Sequence, residues 1–237
     1  MIASCGSNRR GRPITRPLEQ RLRVLGDLCA PYARIADVGA GQGRLSRRLA
    51  EKGAVVYATE RTPRGVTALQ RYLAHTPITV LEGDGLGPLV GHVPFDAVVM
   101  AGMGSVVIQH ILDQRTQLGY RPRFVIQVVQ GMIAVHRYLW NRRALVHSAQ
   151  FVQERGRIYA TWVVTFPPSD EPVGDWSSRG LLHEFAGDPL WSEVCGHETQ
   201  IRQTRLARSL PESERMRIQE ELQYWQGQWE LATLDRS

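Results

Sequence analysis

Apolar and polar positions along the first two-thirds of the chain switch repeatedly between two periods. Arg34–Val38, Val55–Thr59, Ile78–Leu81, Phe95–Ala101 and Phe124–Val129 are short apolar runs of strand length. They are rich enough in Val, Ile and Ala to be buried on both faces of a parallel sheet. Between them, Arg44–Lys52, Pro63–Ala74, Val106–Leu118 and Ile133–Leu145 repeat with helical spacing; Leu69 and Leu73 stand four apart, and Gly53 ends the first. Phe151–Gln153 and Ile158–Phe166 flank Glu154-Arg155-Gly156-Arg157, which predicts a hairpin closing the sheet with an antiparallel edge. The alternation predicts an α/β fold: a doubly wound, mostly parallel, seven-stranded sheet. Pro167-Pro168-Ser169-Asp170-Glu171-Pro172 breaks it, and beyond Gly187-Asp188-Pro189-Leu190 the tail becomes helical in two pieces, the second opened by Pro211. Ile218, Leu222, Trp225 and Trp229 form a coiled-coil-like seam there, so the two helices are expected to pair as an antiparallel hairpin or to pack on the main domain. The expected organisation is a flexible basic N-terminus (1–16), the α/β domain (17–166), a linker and connecting segment (167–189) and a helical hairpin (190–237).

Composition narrows the setting. The chain has 237 residues, 43% of them hydrophobic and 22% charged, enough for one substantial core. No apolar run is long enough to span a bilayer, and Met1–Arg16 lacks the apolar centre of a secretory signal, so the expectation is a cytoplasmic protein without a membrane partner. Cys5, Cys29 and Cys195 have no metal-ligand spacing, which favours reduced thiols and no bound metal. The net charge of +6 is unevenly spread: residues 1–34 hold seven Arg against Glu19 and Asp27, whereas residues 190–237 hold six Arg against eight acids. Arg137-Tyr138-Leu139-Trp140-Asn141-Arg142-Arg143 interleaves cations and rings, as phosphate contacts and base stacking require; an amphipathic helix with Leu139 and Trp140 in the core would show the same pattern. Arg202, Arg205 and Arg208, three apart, form either an RNA-binding ridge or a solvated face.

The chemistry is concentrated at strand ends. Asp37-Val38-Gly39-Ala40-Gly41-Gln42-Gly43 joins the first strand to the first helix of the alternation, where glycines let backbone N–H groups approach a ligand. A dinucleotide fingerprint needs a further glycine where Arg44 stands, so that cofactor class fails. Asp-x-Gly-x-Gly-x-Gly is instead similar to the first motif of class I S-adenosylmethionine methyltransferases. Glu60, followed by Arg61, closes the second strand about twenty residues past the first glycine, where a carboxylate can accept from ribose hydroxyls. Asp84 in Gly83-Asp84-Gly85 follows the third strand, placed to accept from an adenine amino group.

Further motifs resemble one family over nearly the whole chain, the bacterial tRNA (adenine-22 N1)-methyltransferases. Leu18-Glu19-Gln20-Arg21-Leu22 is similar to its opening helix, Ile35-Ala36-Asp37-Val38-Gly39 to its first strand, Gly83-Asp84-Gly85-Leu86 and Val99-Met100-Ala101-Gly102-Met103-Gly104 to its most recognisable motifs, and Gly156-Arg157-Ile158-Tyr159 to its hairpin. The resemblance implies S-adenosyl-L-methionine as cofactor, tRNA as partner and methyl transfer to adenine N1 without a catalytic base. It implies a cofactor set of Asp37, Gly39, Gly41, Gly43, Glu60, Arg61, Asp84, Gly85, Ala101, Gly102 and Met103, with Gly104, Gln127, Arg157 and Tyr159 as substrate contacts. Two departures stand out: the generic Ala40-Gly41-Gln42-Gly43 replaces the family's Ser-Asp-His type sequence, and Ile126-Gln127-Val128-Val129 replaces its Leu-Gln-Pro-Asn. The second implies altered substrate positioning or weakened activity. A small-molecule methyltransferase and a non-catalytic RNA-binding protein that retains the cofactor fold are the alternatives.

Overall fold

The computed structural model describes residues 20–168, 183–185 and 187–234. Residues 1–16, Leu18 and Glu19 of the expected opening helix, and most of the 167–189 connection lie outside the described residues. In chain order the elements are α1 (Gln20–Leu28), β1 (Arg34–Val38), α2 (Arg44–Glu51), β2 (Val55–Glu60), α3 (Pro63–Tyr72), β3 (Thr79–Glu82), β4 (Ala97–Gly104), α4 (Ser105–Asp113), β5 (Arg123–Gln130), α5 (Met132–Asn141), β6 (Leu145–Glu154), β7 (Arg157–Thr165), α6 (Trp191–Leu206) and α7 (Glu212–Leu234). The strands form a seven-stranded sheet in the order β3-β2-β1-β4-β5-β7-β6. The first five are parallel, and β7 runs antiparallel between β5 and β6. After β3 the chain crosses over β1 to start β4, so β1 and β4 flank the point where the winding reverses.

Strand alternation sorts the core into layers. Ile35, Val56, Val99, Val125 and Val163 pack with Leu22 and Leu25 of α1 and Leu45 and Leu49 of α2. Ala58 extends this face to Leu69 and Leu73 of α3. Val38, Met100, Phe124, Ile126 and Trp162 face the other way, toward Ile108 of α4 and Val135 and Leu139 of α5. The central strands are buried on both faces because helices cover both, which is why they read as unbroken apolar runs. At the start of α3, Thr62 Oγ1 accepts from the Gly65 N–H at 3.1 Å and Pro63 occupies the first turn, where its missing donor costs nothing.

Four expectations change in detail. The helix expected over Ile133–Leu145 stops at Asn141, because Arg143 turns left-handed (φ 51°) and Leu145 already pairs with Thr165. That pairing makes β6 ten residues long where the pattern suggests three. Val106–Leu118 breaks into α4 and a 3-10 turn at Arg115–Leu118. Leu139 is in the core as its spacing requires, whereas Trp140 is 42% exposed.

The two tail helices share the sheet's own core. Phe151 of β6 stacks on Phe185 at 4.2 Å, Trp162 meets Phe185 edge-on at 5.2 Å, and Trp191 of α6 lies 6.0 Å from Trp225 of α7, all within one apolar cluster. Along the expected seam Ile218 and Trp225 are fully buried, Leu222 is half-buried and Trp229 is 45% exposed. Ion pairs fix the antiparallel register: Arg202 reaches Glu221 at 3.1 Å and Arg205 reaches Glu214 at 2.6 Å. Arg202 is also paired with Glu198 and lies 5.6 Å from the Trp225 ring centre. This corrects the reading of Arg202, Arg205 and Arg208 as one outward ridge. Arg202 is buried and committed to two carboxylates, Arg205 is ion-paired, and Arg208 lies past the end of α6.

Glu184 joins these layers by accepting from Trp162 Nε1 at 3.0 Å and standing 3.2 Å from His136 Nε2 of α5. Burial pushes its pKa upward, but His136 and Trp162 more than offset this and hold it below the ordinary carboxylate value. Because Trp225 fills the space between the tail and the sheet, Trp225→Ala is expected to cost about 3–5 kcal/mol, the range for deleting a buried large aromatic. Urea unfolding followed by far-UV circular dichroism checks this; a loss below 1 kcal/mol would mean that the tail is not part of the cooperative core.

Candidate functional site

A cavity of about 380 Å³ opens at the carboxyl ends of β1 and β4, lined by Arg21, Leu22, Asp37, Gly39, Ala40, Gly41, Gln42, Arg44, Leu45, Ala101 and Gly102. Open parallel sheets bind ligands at this switch point, because adjacent crossovers leave toward opposite faces and part the loops between them. Two local features make the wall. Gly41 has φ +57°, and a β-carbon there would meet nothing closer than the Gly39 carbonyl oxygen at 3.9 Å, so the space beside it belongs to the cavity. Gly39, at φ +67°, holds a left-handed backbone that favours glycine, and the flexible end of the Met103 side chain rests in the space a β-carbon would take.

Asp37 ends β1 nearly buried, and its Oδ2 accepts from Ser46 Oγ at 2.6 Å. Burial pushes its pKa up to about 6, opposed by the Ser46 hydroxyl and backbone N–H. The bond ties the strand end to the first turn of α2 and fixes the loop between them. On the neighbouring strand, Glu60 Oε1 accepts from the N–H groups of Arg61 (3.0 Å) and Thr62 (3.4 Å), which turns the carboxylate back against the start of α3. Its Oε2 takes no hydrogen bond among the described residues. The rows are in register, with Val38 opposite Thr59 and Glu60 opposite Glu82, and Gly83 N–H donates to the Glu60 carbonyl at 3.1 Å.

Asp37, Gly39, Gly41, Ala101 and Gly102 therefore line one cavity, and Glu60, Arg61, Asp84 and Gly85 continue its edge along the adjacent strand ends. Gly43 acts from behind: a β-carbon there would lie 2.7 Å from Leu69 Cδ1, so it permits close packing of the turn on α3. Asp84 Oδ2 is 3.1 Å from His110 Nε2, which is itself 3.2 Å from Gln114 Nε2, while Gln114 Oε1 accepts from the Leu86 N–H at 2.8 Å. His110 and Gln114 carry no sequence signal; α4 brings them in.

The expected substrate contacts separate. Gln127, expected to contact the substrate, is fully buried within β5, with Nε2 donating to Thr161 Oγ1 at 3.1 Å and Oε1 without a hydrogen bond among the described residues. β5 runs on to Gln130, one residue beyond the expected end of the strand at Val129. Val128 is buried in the core, and Val129 is the extra residue of a bulge opposite β4. Tyr159 is buried, and Arg21 lies over its ring at 5.8 Å. Arg157 is exposed at the hairpin, and Gly104 ends β4 beside Gln130. Sequence reasoning missed Arg21, which borders the cavity and is 3.5 Å from Glu154 Oε2; it thereby connects α1 to the β6–β7 hairpin across the mouth.

Comparison with known proteins agrees with this geometry. The sequence profile of the Methyltransferase domain family matches residues 18–161. A protein-L-isoaspartate O-methyltransferase of Bordetella parapertussis is 32% identical over 147 residues, 57% of this chain and 56% of the relative. The chain spans about half the length of the curated relatives of this kind that it matches. The tRNA (adenine(22)-N(1))-methyltransferase of Bacillus subtilis is 26% identical over 173 residues, covering 70% of this chain and 72% of the relative. Among solved structures, M. capricolum TrmK with S-adenosyl-homocysteine superimposes with a TM-score of 0.73 at 16% identity, covering 91% of this chain and 99% of that one, and so shares the fold. With the profile spanning more than half of the chain and its glycine-rich turn at the switch point, the chain belongs to the methyltransferase-domain family.

Proposed function

We propose that the protein transfers a methyl group from S-adenosyl-L-methionine to N1 of an adenine in tRNA, at position 22 in the D-arm region. The observation that carries this reading is the cavity at the β1–β4 switch point, with bare backbone on one wall and carboxylates at successive strand ends. Its residues fit the cofactor. Gly41 admits a ligand against the backbone, Glu60 Oε2 suits ribose hydroxyls, and Asp37 offers a buried anion to the cationic part. Arg21 and Arg44 suit the cofactor's carboxylate. The tRNA substrate is supported by the motifs that resemble the adenine-22 family and by the similarity to the Bacillus subtilis enzyme over 70% of the chain. It implies work in the cytoplasm. Among the described residues no helix is long and apolar enough to cross a membrane and no cluster could hold a metal.

When bound, the cofactor supplies a methyl carbon on a sulfonium sulfur; the N1 lone pair forms the new bond as the carbon–sulfur bond breaks and its electrons remain on sulfur. Adenine N1 has no proton to lose, so the chain's residues are left with positioning. Aligning two reacting groups can contribute on the order of 7 kcal/mol or more. The Asp37–Ser46 bond ties one wall to the first turn of α2, while Arg21 and the hairpin border the side from which a base would enter.

Incubating the protein with labelled S-adenosylmethionine and bulk tRNA is expected to yield N1-methyladenine, and tRNA affinity is expected to fall steeply with salt. Label on isoaspartyl peptide instead of tRNA would replace this reading. Within the cofactor site, Glu60→Ala is expected to weaken S-adenosylmethionine binding by about 1.5–3 kcal/mol, the range for a charge-assisted hydrogen bond. Gly41→Val should abolish it. Unchanged calorimetric affinity in both folded variants would place the cofactor elsewhere.

Asp37 adds a pH dependence. Its folded pKa of about 6 lies above the ordinary 3.8, so the folded state holds its proton between these values while the unfolded state does not. That contribution to stability is complete below about 3.8 and is lost as pH rises through about 6, a change of roughly 3 kcal/mol. A cationic ligand prefers the ionised form. S-adenosylmethionine affinity is therefore expected to be flat above pH 6.5 and to fall toward tenfold per unit below 6, and Asp37→Asn should flatten the profile. Calorimetry between pH 5 and 8 measures it, and a wild-type profile as flat as that of Asp37→Asn contradicts it.

A further inference from the structure

The carboxyl end of β5 carries a side chain that the cavity wall does not use. Pairing between β4 and β5 runs regularly to Ala101 opposite Gln127, and then slips twice. Gly102, with φ +79°, is the extra residue on β4, so that Met103 comes opposite Val128; Val129 is then extra on β5, which brings Gln130 opposite Gly104. Bulges re-aim side chains in this way beside binding sites. The outcome is an exposed carboxamide folded over a position without a side chain: a β-carbon on Gly104 would stand 3.5 Å from Gln130 Nε2. The backbone beneath it is held. Gly131, at φ +79°, leads into α5, and a β-carbon there would lie 2.4 Å from Ser105 Oγ, so the ends of β4 and β5 are packed against each other with no slack. Among the described residues the Gln130 carboxamide makes no hydrogen bond. It stands two residues along β4 from Gly102 of the cavity wall, on the strand next to it.

We propose that Gln130 selects the acceptor base by pairing with the Hoogsteen edge of adenine, its oxygen accepting from N6 and its NH2 donating to N7. This rests on the reading of the site as an adenine N1-methyltransferase and adds the residue that determines base identity. A carboxamide is the side-chain group that matches the N6/N7 edge bidentately. That edge lies away from N1, so the base can be gripped while its N1 lone pair stays free to form the new bond. The electrons of the breaking carbon–sulfur bond stay on sulfur, and no proton passes through Gln130. Guanine presents O6 and N7, two acceptors, to the same carboxamide, whose oxygen would then face an oxygen. Its N1 also carries a hydrogen in place of a lone pair. Both features reject it at one position.

The test pairs a protein change with a single-atom change in the RNA. A tRNA carrying 7-deazaadenosine at the methylated position lacks only the N7 acceptor. With the wild-type protein, kcat/KM is expected to fall roughly tenfold or more on this RNA, the scale for losing part of a bidentate base contact. With Gln130→Ala, unmodified tRNA is expected to show a similar fall and the 7-deaza substitution to add nothing. Gln130→Glu, which keeps the size and an acceptor but loses the N7 donor, should be equally insensitive. Calorimetric affinity for S-adenosylmethionine stays at the wild-type value in both variants and reports an intact fold. Wild-type turnover on tRNA that Gln130→Ala matches, or a 7-deaza effect of equal size in wild type and both variants, overturns the proposal while leaving the functional reading intact. A wild-type protein that binds S-adenosylmethionine but methylates no tRNA adenine overturns both.

Discussion

Everything at the site depends on a steric constraint at the end of β1. The chain must leave the sheet, turn and enter α2 within a few residues, while Met103 of β4 presses on the same turn from the neighbouring strand. Gly39 and Gly41 satisfy this because both hold a left-handed backbone, at φ +67° and +57°, that is strained for other residues. The Asp37–Ser46 hydrogen bond then fixes the turn in one geometry. Its cost is a buried carboxyl group with a raised pKa, tolerated because the same group faces a cavity suited to a cation.

The neighbouring strands extend this wall by different means. Glu60 holds its carboxylate by capping its own turn, whereas Asp84 is held through His110 of α4 and Gln114 at the end of that helix. Between β4 and β5 the wall is shaped by irregular pairing: one bulge lets Met103 close on the turn, and the next brings Gln130 to the surface. Across the mouth, Arg21 is held by Glu154 and the Tyr159 ring, so α1 and the hairpin border one opening.

The tail is tied to the same sheet rather than hung beside it. Trp191 and Trp225 belong to the cluster that contains Phe151, Trp162 and Phe185, and Arg137 of α5 reaches Glu221 of α7 at 3.9 Å. Arg202 serves this packing. Its guanidinium is surrounded by Glu198, Glu221 and an indole ring, so the arginine spacing that suggests a phosphate ridge is in part the spacing of a buried ion network. Removing the cation would leave two poorly hydrated carboxylates facing each other.

The sequence by itself determined the order of elements and the place of the turn. Runs buried on both faces, such as Val98-Val99-Met100, announce central parallel strands whatever their neighbours are, and glycine spacing separates one cofactor class from another through backbone geometry alone. Register and long-range neighbours were decided by the tertiary structure. A one-residue bulge is silent in the hydrophobic pattern, so Gln127 reads as a substrate contact although it is buried beside Thr161, and Gln130 passes unnoticed. Arg21, His110 and Gln114 reach the site from helices whose apolar spacing concerns only the opposite, buried face. Periodicity reports which side of an element meets the core; which polar side chains meet one another depends on how the elements are laid together.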